Sequence, residues 1–170
     1  RRLPGVPALR LDRGRRDSAT MVQAGVYILA RFHPIMAGSS LWFISLTTIG
    51  AITMIAGVLL AFKQTDMKLI LAYTTVTALG SLVFLLGSDQ DAVIKAAVAF
   101  LISHALYKAT LFMVVGDIQH QTGTRFVTEI SGLHTVMPVT FMAALVAGAS
   151  MAGLPPLLGF YVKELVYEAN

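Results

Sequence analysis

The 170-residue sequence contains no cysteine, which excludes disulfides, thiolate metal sites and thiol redox chemistry. Charge is scarce: 13% of residues are Asp, Glu, Lys or Arg, and no carboxylate falls inside any of the long apolar runs. The four histidines, His33, His104, His120 and His134, are too scattered for a metal-binding spacing such as HExxH. Neither a metal nor a cofactor is therefore expected. No stretch combines the charged start, short apolar run and small-residue cleavage site of a signal peptide, and the chain opens on Arg1 rather than methionine. It reads as an internal piece of something longer.

What is abundant is hydrophobicity. Hydrophobic residues make up 56% of the chain and the mean hydropathy is +0.73, far above the balance of an ordinary soluble domain. The expected fold is all-α, a polytopic transmembrane helix bundle, because in lipid each spanning segment must satisfy its own backbone polar groups. The net charge of +4 comes largely from the head, where six of the thirteen Lys and Arg residues occupy the first sixteen positions. Residues 1–17 are also interrupted by Pro4, Gly5, Pro7 and Gly14, so they read as a disordered or surface-bound head distinct from 18–170. Beyond the head the charges nearly cancel, and a nucleic-acid partner is not expected.

The body divides into spans. Residues 18–30 are apolar but only 13 long, which suits half of a broken helix or one that has lost its first turns, and Arg31, His33, Pro34 and Gly38 then read as a polar turn. Leu41 to Phe62 is an uncharged 22-residue span with Trp42 at its interfacial edge. A second span runs from Leu69 to Gly87, a third from Ala92 to Gly116, and a fourth, rich in small residues that permit close packing, from Val136 to Gly153. After Pro155-Pro156 a last helix begins. About five spans and a truncated one are expected, with a long polar connection from Asp117 to His134. Alternation puts the 63–68 loop and the 117–134 connection on one side of the membrane; with Lys63, Lys68, Arg125 and the arginine head, that side is cytoplasmic by the positive-inside rule.

The span from Ala92 to Gly116 carries Lys95, His104 and Lys108. Lysine near a bilayer centre costs roughly 2.5–3.5 kcal/mol on insertion scales, so such residues face a bundle interior or a hydrated cavity and are read first as functional. His104 and Lys108 are four apart and form a ladder on one helix face, two groups able to exchange protons near neutral pH. The competing reading is packing: His104 donating to a backbone carbonyl, and Lys108 paired with a carboxylate on a partner. Lys95 stands about one turn inside the helix, where it can snorkel to the surface. Lys163, seven residues after Pro156 in an apolar setting, lies beyond a Pro pair that leaves helix carbonyls unpaired. It is either a second proton-carrying lysine or an interfacial one paired with Glu164 or Glu168. Asp66 and Lys68 sit at a helix entrance and read as cap and anchor. Tyr73 and Thr74 offer hydroxyls without titration near pH 7. Gly57 and Gly80 read as packing positions.

Four stretches, SATMVQAGVYILAR (18–31), QTDMKLILAYTTV (64–76), FLISHALYKATLFMVVGDIQHQTGTR (100–125) and SMAGLPPLLGFYVKE (150–164), resemble in order and spacing the proton-pumping antiporter-like membrane subunits. HQTGTR favours the A-type subunits of the Mrp multisubunit sodium or potassium/proton antiporters over their relatives in respiratory complex I. The resemblance implies part of an antiporter-like module with broken helices, in a multi-pass subunit of the cell inner membrane. That subunit would assemble with other membrane subunits and exchange H+ for Na+ or K+, as a secondary transporter rather than an enzyme. Residue by residue, Lys108 matches the family's central lysine, His104 the histidine a turn before it, Lys163 the lysine on the broken helix after the Pro pair, and Lys68 a lysine of structural or peripheral role. The alternative implied by the same residues is a redox-driven pump subunit of complex I or a membrane-bound hydrogenase, without cation exchange.

Two departures from the family pattern matter. A second family histidine, one turn before His104, falls where this chain has Phe100. The head, RGRRD before Ser18, replaces an apolar stretch containing Pro-Thr-Pro, so it reads as a frame or assembly error and no function is carried onto Asp17.

Overall fold

An uncharged apolar run of more than twenty residues is long enough to cross a hydrocarbon layer of about 30 Å at about 1.5 Å per residue. In the computed structural model, which describes residues 24–36 and 38–168, that run becomes a 23-residue helix, α2 (Ser40–Phe62). It is preceded by α1, helical over 24–36. It is followed by α3 (Met67–Leu85), α4 (Asp91–Thr122), a 3-10 turn at Val127–Glu129, the short α5 (Leu133–Val136), α6 (Pro138–Ala152) and α7 (Leu158–Glu168). The fold is all-helical among the described residues apart from one isolated antiparallel bridge, Asp66 to Phe126. The arginine-rich head and residues 18–23 lie outside the described residues.

Among the described residues α2, α3 and α4 are long and apolar enough to cross a membrane. The expected span from Val136 to Gly153 is shorter than the sequence implied: Met137 breaks the backbone direction, leaving α5 as a single turn and α6 with 15 residues. Two loop expectations are also corrected. Arg31, His33 and Pro34 are not in a turn but in α1, because buried His33 bonds the Ser88 carbonyl at 2.6 Å and continues the helix inward. Residues 117–122 are not loop but the last turns of α4, where Val114, Val115 and Ile118 remain buried although the other side has turned polar. Gly123, with φ 75°, supplies the left-handed residue that stops the helix.

α3 lies between α2 and α4, and α4 in turn packs against α6 and α7. Leu82, Leu85, Leu86, Val93, Ala96 and Ala97 form the core where α3 turns into α4, with Val26 of α1 and Leu46 of α2 closing it. The α2–α3 pair meets backbone to backbone. A Cβ on Gly50 would stand 2.5 Å from Phe84 N, and one on Gly80 would stand 2.7 Å from Met54 N, so only glycine permits the approach.

Each end of α3 is tied down. At the α3–α4 turn Trp42 Nε1 donates to the Leu86 carbonyl at 3.1 Å, beside the His33 bond. At the other end Asp66 caps α3, accepting from Lys68 N at 2.9 Å through Oδ1 and pairing through Oδ2 with Arg125 Nε at 2.8 Å. Met67 N donates to the Arg125 carbonyl (3.0 Å) and Val127 N to the Thr65 carbonyl (2.9 Å). The 63–68 loop and the segment after α4 are thus clasped on one side of the bundle, as alternation of spans requires.

Two substitutions test this packing by thermal unfolding of detergent-purified protein. Gly80→Val is expected to lower stability by about 1–3 kcal/mol or more, the scale of overpacking, whereas Gly116→Ala, whose Cβ meets nothing within 4 Å, should change it by less than about 0.5 kcal/mol. Arg125→Gln strands the Asp66 carboxylate. Because Arg125 is 43% exposed, the loss is expected near 1–2 kcal/mol rather than that of a fully buried pair, and Asp66→Asn in the same background should recover part of it.

Candidate functional site

α4 is held on three sides by other helices, and its interior face carries the titratable ladder. His104 and Lys108 are 1% and 5% exposed, so the expectation that they turn inward together is met. Lys95, in the second turn of α4, is exposed, consistent with an interfacial anchor.

The partners of the ladder differ from those of the packing reading. His104 does not donate to a backbone carbonyl: its Nδ1 shares a 2.9 Å hydrogen bond with the hydroxyl of buried Tyr107, and the two rings meet edge to face with centroids 5.2 Å apart. Phe100, at the position of the family's second histidine, lies tilted against the imidazole at 6.1 Å. Lys108 pairs with no carboxylate among the described residues. Its ammonium reaches across to α3, donating to the Leu71 carbonyl at 2.8 Å and to the Thr74 hydroxyl. Thr74 itself donates to the carbonyls of Ile70 (2.9 Å) and Leu71 (3.1 Å). It belongs to a run of α3 hydroxyls, with Thr75, Thr77 and Ser81, that all bond back one turn. Next to His104, the buried Ser103 hydroxyl has no hydrogen-bond partner among the described residues. Among the described residues the ammonium is thus met by two neutral oxygens, a carbonyl and a hydroxyl, that hold it in place without neutralising it.

Lys163 sits elsewhere, at the α6–α7 junction. Its side chain is exposed and folds over Gly153, and Nζ donates to the Ala152 carbonyl at 2.6 Å. The unpaired carbonyls expected before Pro155-Pro156 are thus partly met by this lysine, a cation at the C-terminal, negative end of α6. Its partner is this carbonyl rather than Glu164 or Glu168. α7 is seated on α6 at Gly159, where a Cβ would stand 1.7 Å from the Ser150 carbonyl. α7 packs against α4, but no hydrogen bond joins Lys163 to the ladder among the described residues. Lys68 is half-buried at the start of α3, where its backbone N–H completes the Asp66 cap, and it too lies off the ladder.

Tyr107 is the site residue that sequence reasoning missed, and Thr74, noted there only for its hydroxyl, is the one to which it gave no part in the site. A hydroxyl that does not titrate near neutral pH gives Thr74 no mark of its own in the sequence. Tyr107, adjacent to Lys108 and three residues after His104, carries the only available signal: a hydroxyl within one turn of a buried imidazole.

An all-helical bundle with three helices long and apolar enough to cross a membrane, and with a histidine and a lysine turned into its interior, defines a polytopic membrane protein. The family described as NADH:quinone oxidoreductase/Mrp antiporter, TM, matches residues 18–169, and the chain belongs to this family. It is 45% identical over 163 residues to the A subunit of the Na(+)/H(+) antiporter of Bacillus subtilis, covering 89% of this chain and 20% of that protein. It is 44% identical over 150 residues to a probable K(+)/H(+) antiporter A/B subunit of Rhizobium meliloti, covering 88% of this chain and 15% of that one. Among solved structures it matches a chain of the Mrp complex from Dietzia sp. DQ12-45-1b with a TM-score of 0.83 and 43% identity, over 88% of this chain and 16% of that chain. The chain therefore spans about a fifth or less of the length of these relatives. The expected family, all-α bundle and multi-pass membrane character are all met.

The His104–Tyr107 bond is open to a double-mutant cycle. Tyr107→Phe is expected to cost about 1–2 kcal/mol by leaving a buried ring nitrogen unpaired. Combined with His104→Leu it should cost less than the sum of the two singles by about 1 kcal/mol, read by thermal unfolding.

Proposed function

We propose that this chain is the part of a monovalent cation/proton antiporter subunit that carries the later stations of its proton path. In this reading residues 18–170 are a partial antiporter-like module of a secondary transporter in the cell inner membrane. Protons pass by way of His104, Lys108 and Lys163 in exchange for Na+ or K+, in an assembly with other membrane subunits. Lys68 takes a peripheral, structural part. The observation that carries the reading is Lys108, buried on α4 and held by two neutral oxygens of α3 instead of a carboxylate. A lysine fixed by a salt bridge has one stable charge state, whereas one held by a carbonyl and a hydroxyl can alternate between two. Protons on His104 and Lys108, one turn apart, repel each other, so occupancy of one station bears on the next.

The curated relatives, both named as antiporter subunits, favour cation exchange over the redox-driven alternative. Lys108→Ala in the full-length subunit, within its assembled complex, is expected to abolish cation-driven proton movement in inverted vesicles while the complex still forms. Exchange at the wild-type rate in that variant would remove the relay.

A further inference from the structure

The proton relay leaves one requirement unmet by the ladder itself. A buried ammonium needs acceptors, but the neutral amine left after it loses a proton presents a lone pair and needs a donor. Of the two partners of Lys108, the Leu71 carbonyl can only accept. The Thr74 hydroxyl can do either, since it has one hydrogen and two lone pairs.

We propose that Thr74 is a positioning residue of the proton path, the two-way partner that keeps Lys108 hydrogen-bonded in both of its protonation states. In the charged state the hydroxyl oxygen accepts from Nζ while its hydrogen goes to the Ile70 carbonyl, 2.9 Å away, or to that of Leu71, 3.1 Å away. When an Nζ–H bond breaks and that proton passes to the next group of the path, the amine turns about its Cε–Nζ bond to bring the new lone pair toward Thr74, and the hydroxyl turns about its C–O bond and donates to it. Its own O–H bond stays intact. The carbonyls it leaves are not orphaned, because Ile70 and Leu71 lie inside α3 and their carbonyls remain in its backbone hydrogen-bond ladder. The turn therefore exchanges one hydrogen bond for another of similar strength, and the amine stays within reach of α3 instead of collapsing into apolar surroundings.

No other side chain among the described residues is hydrogen-bonded to Lys108. Of the elements packed against α4, α6 carries no titratable residue; α3 carries Lys68 and Tyr73; and α7 carries Tyr161, Lys163, Glu164, Tyr167 and Glu168. Among the described residues none of these is bonded to Lys108. On α4 itself His104 stands one turn away, and its Nδ1 is engaged by Tyr107.

The inference rests on the relay reading, and the experiment separates the two. Cation-driven proton exchange is measured in inverted vesicles containing the complete complex, per assembled complex, over a pH series, for wild type, Lys108→Ala, Thr74→Ser and Thr74→Val. Thr74→Val, nearly the same shape without the hydroxyl, is expected to reduce exchange about tenfold, the scale of one lost hydrogen bond to a charged group, and to displace the pH of half-maximal exchange. Thr74→Ser should stay within about twofold of wild type with an unchanged profile. If Lys108→Ala abolishes exchange but Thr74→Val keeps the wild-type rate and profile, Thr74 is packing only and the inference falls while the relay stands. If Lys108→Ala retains exchange, the relay falls first. Should valine prevent assembly, Thr74→Ala takes its place under the same criteria.

Discussion

An ammonium carried into a helix bundle must find oxygen atoms there, and in this protein those atoms belong to a neighbouring helix. Lys108 on α4 reaches the Leu71 carbonyl and the Thr74 hydroxyl of α3, so its position depends on where α3 stands and how it is rotated. That placement is set from outside the site. Gly50 and Gly80 bring α2 and α3 into backbone contact, which fixes the rotation of α3. The Asp66 clasp with Arg125 fixes its depth, and Leu71 lies five residues further along.

The parts of this arrangement that are legible in the sequence are those encoded locally. The apolar runs mark α2 and α3 to within a few residues, and the spacing of Asp66 before an apolar run identifies a helix cap. The inward face of α4 follows from two charged positions four apart, because lipid does not tolerate them. Helix ends fail where hydrophobicity is taken as the measure of helix. α1 continues through Arg31 and His33 because a backbone carbonyl 55 residues away receives the imidazole. α4 continues past Gly116 because a helix leaving the apolar layer needs one buried side and a stop signal, and Gly123 supplies the latter. No local pattern marks the Asp66–Arg125 pair, which joins two loops separated by two spans. Tyr107 escapes, and Thr74 is noted without a role, for another reason: a search for titratable groups passes over the neutral hydroxyls that hold them.

Lys163 and Lys108 share one solution and differ in one respect. Each donates to a backbone carbonyl rather than to a carboxylate, and the long apolar spans contain no acid that would lock Lys108 in its charged form. For Lys163 the carbonyl is that of Ala152, the residue that ends α6, where the helix dipole favours a cation. Its side chain is exposed in the described chain. Lys108, by contrast, is 5% exposed. Among the described residues a hydroxyl accompanies the carbonyl at Lys108 and not at Lys163. The same reasoning extends to His104, a group that must accept at one ring nitrogen when neutral and donate at both when charged. Its Nδ1 is also met by a hydroxyl, that of Tyr107, rather than by a carbonyl or a carboxylate. The two buried titratable side chains of α4 are therefore each met by a hydroxyl, the side-chain group that can reverse its hydrogen bond.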